Sequence, residues 1–202
     1  MNVTLQAEKL LYHFIKKYGN IKLIVFDFDE TITALHTGGS FYFKDNKIEQ
    51  IMALMNDVTF FKQFVNLLEK NKINVAIATY ADEYMSKNIN VLAGQKMVLK
   101  FMDIIFGNDY NPFNINNVIA FHPVNKSQIF VNICNELDME QYNKIKHEKN
   151  IHLSLLQKKY NLDKNEILLI DNDKRNTDAA TKYGFCGYHV PDGFSIELTN
   201  NI

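Results

Sequence analysis

Tryptophan is absent from the 202 residues, and cysteine occurs only as Cys134 and Cys186. Two cysteines at no metal-like spacing argue against a disulfide framework and point to a reducing, cytoplasmic setting. No charge of one sign is in excess. The formal net charge of −1 removes any global pull toward a nucleic acid polymer or an anionic membrane. No apolar run approaches the ~20 residues that span a bilayer. With three prolines and eight glycines, the chain shows no linker, repeat or low-complexity tract. The N-terminal stretch lacks a signal-peptide layout, because its basic residues follow the apolar ones and no small-residue cleavage site appears.

What is present is an ordinary globular composition, 47% hydrophobic and 22% charged, long enough for one domain over residues 1–202. Leu5, Leu10, Leu11, Phe14 and Ile15 fit one helical face that would pack on the domain. Leu23–Phe26, Val75–Ala78 and Ile167–Ile170 are short continuous apolar runs of the kind that form strands buried on both faces. Ile104–Phe106 and Val118–Phe121 are weaker candidates. Helical spacing covers Ile48–Met55, Val58–Lys70, a stretch after Asp82, the Leu153–Tyr160 region and Thr177–Lys182, the last stopped by Gly184. Gly38-Gly39 marks a turn. The phenylalanines, with Met52 and Met55, are assigned to the core. Strands alternating with helices predict an α/β domain: a three-layer sandwich around a central, mostly parallel, Rossmann-like sheet. The polar stretch from about 109 to 149 is the candidate insertion.

The chemistry is expected where the apolar runs end. They close on Asp27 and Asp29, on Thr79, and on Asp171-Asn172, and ligands bind at the carboxyl ends of parallel strands. Asp27 and Asp29, two apart on an extended chain, point to one side. One can attack while the other moves a proton. Carboxylates that close repel, so a cation is wanted between them, and Mg²⁺ suits oxygen-only donors combined with phosphate oxygens. A carboxylate nucleophile that forms an aspartyl-phosphate is an established route.

Ile24-Val25-Phe26-Asp27-Phe28-Asp29-Glu30-Thr31 resembles the first signature of haloacid dehalogenase (HAD) superfamily phosphatases, an apolar strand followed by Asp-x-Asp-x-Thr. The resemblance implies Asp27 as nucleophile and Asp29 as general acid and then base, with the Asp29 carbonyl also on magnesium. Thr31 is the signature's threonine and is expected to contact substrate. Val75–Thr79 is similar to the second signature, which implies that Thr79, helped by the amides of Tyr80 and Ala81, binds phosphate. ILLIDNDKRN looks like the fourth signature in its acidic-pair form, closest to the cap-poor magnesium-dependent phosphatases. It implies Asn172 as a metal ligand, with Asp171 beside it in the metal set and supporting a lysine, and Asn176 nearby. That phosphate-binding lysine is assigned to Lys149, within Lys-Asn-Ile-His-Leu, with Lys126 as the alternative.

The resemblance further implies a hairpin flap near Thr33–Phe43 and a minimal cap, an open site that suits bulky substrates or a phosphorylated protein more than very small metabolites; a phosphorylated small molecule or phosphoprotein is the expected substrate. Phe41, Tyr42 and Phe43 are candidate entrance residues. His36, His122, His147, His152 and His189 are read as packing or surface residues. The basic stretch Lys144–Lys149 is read as a solvated face, with guidance of an anionic substrate as the alternative. The expected activity is a phosphomonoester hydrolase. The alternatives are a catalytically silent domain that binds phosphorylated partners, suggested by Asn172 standing where an acid is common, and a phosphotransferase using the same nucleophile.

Overall fold

A computed structural model describes residues 2–43, 48–81, 88–107, 110–122 and 148–202. The helix after Asp82, Lys126, Cys134, His147 and most of the basic Lys144–Lys149 stretch lie outside these residues. Of the 109–149 stretch, residues 110–122 lead into and form a sheet strand, and 123–147 are outside the described set.

The order of elements is α1 (Val3–Tyr18), β1 (Leu23–Phe26), β2 (Ser40–Tyr42), α2 (Ile48–Met52), α3 (Val58–Lys70), β3 (Asn74–Thr79), β4 (Val91–Ala93), α4 (Gly94–Phe106), β5 (Val118–Ala120), α5 (Asn150–Tyr160), β6 (Ile167–Asp171), α6 (Lys174–Tyr183) and β7 (Cys186–His189). A five-stranded parallel sheet runs β5-β3-β1-β6-β7, with β1 in the middle. Strand residues alternate between faces. Ile24, Phe26, Ile77, Leu168 and Ile170 join the core under α1, α3 and α4, with Phe14, Phe64 and Phe101. Leu23, Val25, Ala76 and Leu169 join the core under α5 and α6, with Leu153, Leu156 and Ala180. Continuous apolar runs are needed because both faces are covered, and three layers follow.

Several expectations change. Ile104–Phe106 is the last turn of α4, not a strand, since Met97, Phe101, Met102 and Ile105 repeat at helical spacing and are all buried. The buried face of α1 is Ala7, Leu10, Leu11 and Phe14, whereas Leu5 and Ile15 are 58% and 44% exposed. β7 is an additional strand with no apolar run, because it is a half-exposed edge. The helix expected to reach Met55 stops at Met52, and Met55 bridges to Thr33. The last helix starts at Lys174, three residues before the expected Thr177, capped by the Asp173 carboxylate on the Arg175 amide. The flap is not a hairpin local to Thr33–Phe43: β2 pairs antiparallel with β4, which follows β3. Phe41 and Phe43 lie against Phe101, with ring centroids 5.1 and 5.4 Å away, and so serve packing rather than an entrance; Tyr42 is exposed. Among the described residues, no helix is long and apolar enough to cross a membrane.

Candidate active site

Register brings the three chain ends to one rim. Phe26 is opposite Ile77 of β3 and Ile170 of β6, so Asp27, Thr79 and Asp171 emerge at the carboxyl end of neighbouring strands. The Asp27 amide extends the ladder onto Ile170 O at 2.9 Å. Beyond β1 the chain turns sharply. Phe28 is fully buried, its carbonyl accepts the amides of Ile32 and Thr33, and Glu30 takes a left-handed φ of 57°. The turn folds Thr31 beneath the rim, completely buried. The Thr31 hydroxyl proton has two acceptors in reach, Asp27 Oδ2 at 3.1 Å and Asn172 Oδ1 at 3.3 Å, and its oxygen accepts the Asn172 amide at 3.0 Å. Asp27 and Asn172 therefore share one side of the molecule, joined through one hydroxyl.

Lys149, just before α5, is 2% exposed. Its ammonium donates to Asp27 Oδ1 and, at 2.7 Å, to Asp171 Oδ2. Asp171 is wholly buried, and the Asn176 amide donates to both of its oxygens at 3.0 Å while the Asp173 N–H donates to Oδ1 at 2.8 Å. Asp171 thus holds Lys149, as the resemblance implied, and both of its oxygens accept hydrogen bonds. Burial pushes the Asp27 carboxyl upward; the Lys149 charge opposes this and the Asp171 charge adds to it. Burial disfavours the Lys149 ammonium, but Asp171 and Asp27 outweigh it and raise Lys149.

Asp29 faces the same cavity. Its carboxyl accepts the Thr37 hydroxyl at 2.8 and 3.1 Å and has His36 Nδ1 at 3.6 Å. Burial raises it, and the Thr37 hydrogen bonds partly offset the shift. Thr79, at the end of β3, is buried and lines the cavity. Tyr80 contributes its side chain: the ring centroid is 5.4 Å from Lys149 Nζ, and the hydroxyl donates to Asn176 Oδ1 at 3.4 Å. His152 lies one turn beyond Lys149 and is fully buried, stacked on Phe121 at 4.2 Å with Nε2 3.0 Å from Phe121 O. Burial, with the Lys149 charge adding, holds it down at about 3, so the ring is neutral.

The cavity over these groups has a volume of about 270 Å³, with Glu30, Glu148, Asp173 and Arg175 on its walls. A larger one of about 380 Å³ lies at the opposite end of β3, beside Asn74 and Asn117, away from the carboxylates. Thr37, Tyr80's ring and Arg175 are site groups that the sequence reading did not assign. The run after Asp171-Asn172 placed Arg175 near the rim, whereas nothing local marks Thr37.

The donor set suits a hard cation. Among the described residues no cluster of three or more His, Cys, Asp or Glu could hold a metal. A cation held by Asp27 and Asn172 would draw its other donors from main-chain oxygens and water, which Mg²⁺ accepts.

A family model described as Acid Phosphatase matches residues 20–201. No curated protein matches the chain. Among solved structures, the N-terminal part of a Bacteroides fragilis protein, containing a phosphatase domain complexed with Mg, is 13% identical with a TM-score of 0.50, covering 93% of this chain and 42% of that one. A protein of Xanthomonas campestris is 13% identical with a TM-score of 0.43, covering 94% and 74%. A haloacid dehalogenase-like hydrolase of Bacteroides fragilis is 13% identical with a TM-score of 0.43, covering 87% and 90%. The first of these matches shares the fold, and the present chain spans less than half of its length.

Proposed function

The chain belongs to the acid phosphatase family within the HAD superfamily, and from that premise we propose that it is a magnesium-dependent phosphomonoester hydrolase working through an aspartyl-phosphate on Asp27. One observation carries the reading. The enclosed Asp27 carboxylate is held by Lys149 at one oxygen and by Thr31 at the other, and it faces the same cavity as Asp29 and Asn172.

In the first step an Asp27 oxygen bonds to phosphorus as the bond to the leaving oxygen breaks, and the Asp29 carboxyl gives that oxygen its proton. In the second, the Asp29 carboxylate takes a proton from water as the water attacks phosphorus, releasing phosphate and restoring Asp27. Lys149, kept cationic by Asp171, and Thr79 act on the phosphoryl oxygens, where positioning and charge supply most of the catalysis. Asp27, Asn172 and the Asp29 carbonyl would hold magnesium, whose charge offsets that of the phosphoryl group. A phosphorylated small molecule or phosphoprotein, met in a reducing, cytoplasmic setting, is the proposed substrate class.

The test is hydrolysis of a generic aryl phosphate with and without magnesium, by the parent and by Asp27→Asn. The parent should require the ion, and the variant should lose roughly 10³-fold or more in kcat. An Asp27→Asn variant as fast as the parent rejects the nucleophile. Asn172 favours a second reading, a silent phospho-partner binding domain, which magnesium-dependent turnover rejects. Added alcohol separates a phosphotransferase, which would yield the alkyl phosphate in place of inorganic phosphate.

A further inference from the structure

Asp29 receives its hydrogen bond from a loop that does not belong to the first signature. The Thr37 hydroxyl lies 2.8 Å from Asp29 Oδ1 and 3.1 Å from Oδ2. The same oxygen accepts the Gly39 N–H at 3.2 Å. With its acceptor side occupied, the single hydroxyl proton is directed at the carboxylate. The other neighbour, His36, is arranged differently: its Nδ1 accepts the Gly38 N–H at 3.0 Å and stands 3.6 Å from Asp29, beyond a hydrogen bond. Gly38 and Gly39 take φ of +63° and +81°, the left-handed backbone that folds the Gly39 amide back onto the Thr37 side chain.

This grip is anchored outside the loop. Gly39 O accepts the Gly94 amide at 3.0 Å, and the next residue begins β2, paired with β4. Phe41 and Phe43 seat the two strands on Phe101 in the core. The route from the packed core to the acid therefore runs through β2, Gly39 and Thr37.

We propose that Thr37 is a positioning residue for proton transfer, holding the Asp29 carboxyl so that one oxygen faces the leaving group, and that the β2–β4 pair is the mount of the acid. This rests on the phosphatase reading above. As the bond from phosphorus to the leaving oxygen breaks and the bond from Asp27 forms, the proton of Asp29 passes to the leaving oxygen. The Thr37 hydroxyl then donates to the carboxylate that remains. The benefit scales with how much the leaving oxygen needs a proton. An alkoxide needs it, and a dinitrophenolate leaves without it.

The experiment compares kcat/KM for a simple alkyl phosphate and for 2,4-dinitrophenyl phosphate in the parent, Thr37→Val and Thr37→Ser. Thr37→Val keeps the branched shape without the hydroxyl. It should lose roughly 10²-fold on the alkyl ester, the scale of a misplaced general acid, and at least about tenfold less on the dinitrophenyl ester. Thr37→Ser should recover most of the alkyl activity. The ratio of the two substrates does not depend on the fraction of folded protein, and Thr37→Ala gives the same comparison if Thr37→Val folds poorly. Equal losses on both esters, or no loss on either, overturn the positioning role while leaving the phosphatase reading intact. A parent inactive on both esters overturns the reading itself, and the role of Thr37 falls with it.

Discussion

Lys149 Nζ stands 2.7 Å from Asp171 Oδ2, and neither side chain is more than 2% exposed. The same ammonium also bonds Asp27. One buried cation thus serves two buried carboxylates, leaving an excess negative charge beneath the cavity. Without a further cation, burial favours a proton on Asp27, which is the direction of its shift. A divalent ion beside Asp27 and Asn172 would remove that need and leave the nucleophile ionised.

Removing the lysine should therefore damage folding as well as turnover. Lys149→Met leaves Asp27 and Asp171 buried without their shared partner, a change that costs about 3–5 kcal/mol for a broken buried ion pair. Urea denaturation should show a lower midpoint, together with loss of hydrolysis. An unchanged midpoint would mean that the pair does not hold the rim together.

Asn172→Asp should move metal affinity and metal-free stability in opposite directions. A second carboxylate across the Thr31 hydroxyl from Asp27 adds charge to the ligand set, and ligand charge count tunes such sites by roughly tenfold or more. The magnesium concentration giving half-maximal activity should fall. In a chelator, the variant should melt below the parent because two acids then face each other. Parallel shifts, or none, would remove Asn172 from the metal site.

His152 should make the protein sensitive to acid. Burial holds its folded pKa at about 3, below the ordinary imidazole value of 6.5, so the unfolded chain binds a proton that the native state refuses. The stability associated with the neutral ring is present above 6.5 and is lost as pH falls from there toward 3. The loss amounts to on the order of 3 kcal/mol by pH 4. Denaturant midpoints measured between pH 7 and about 4 should fall less steeply in His152→Gln than in the parent. Identical slopes would assign the acid sensitivity to other groups.

Gly187→Ala should destabilise the fold without touching the chemistry. A Cβ there would sit 2.5 Å from the Thr177 main-chain oxygen and 2.9 Å from the Thr181 hydroxyl, on the seam between β7 and α6. Overpacking against backbone costs about 1–3 kcal/mol. The melting temperature should drop, while kcat per folded molecule stays near the parent value.

The parts of this protein legible in the sequence share one property: their signal is local. Leu23–Phe26, Val75–Ala78 and Ile167–Ile170 read as strands because a strand covered on both faces must be apolar throughout, and each run ends where polar residues have to emerge. That Asp27, Thr79 and Asn172 emerge at the strand ends was legible for the same reason, while Lys149 was assigned through a family resemblance. Ile104–Phe106 was misread because three apolar residues look alike in a strand and in the last turn of a helix; the repeat back to Met97 decides between them. β7 was missed because Cys-Gly-Tyr-His at a half-exposed edge needs no apolar run.

The sequence alone determined the α/β character and the residue types that meet at the strand ends, since both follow from periodicity and chain order. Only the tertiary structure decided the holds that no motif implied: Thr31 between Asp27 and Asn172, and Thr37 on Asp29. Those contacts depend on how loops distant in the chain are laid over the sheet, a matter of packing that leaves no periodic mark on the residues themselves.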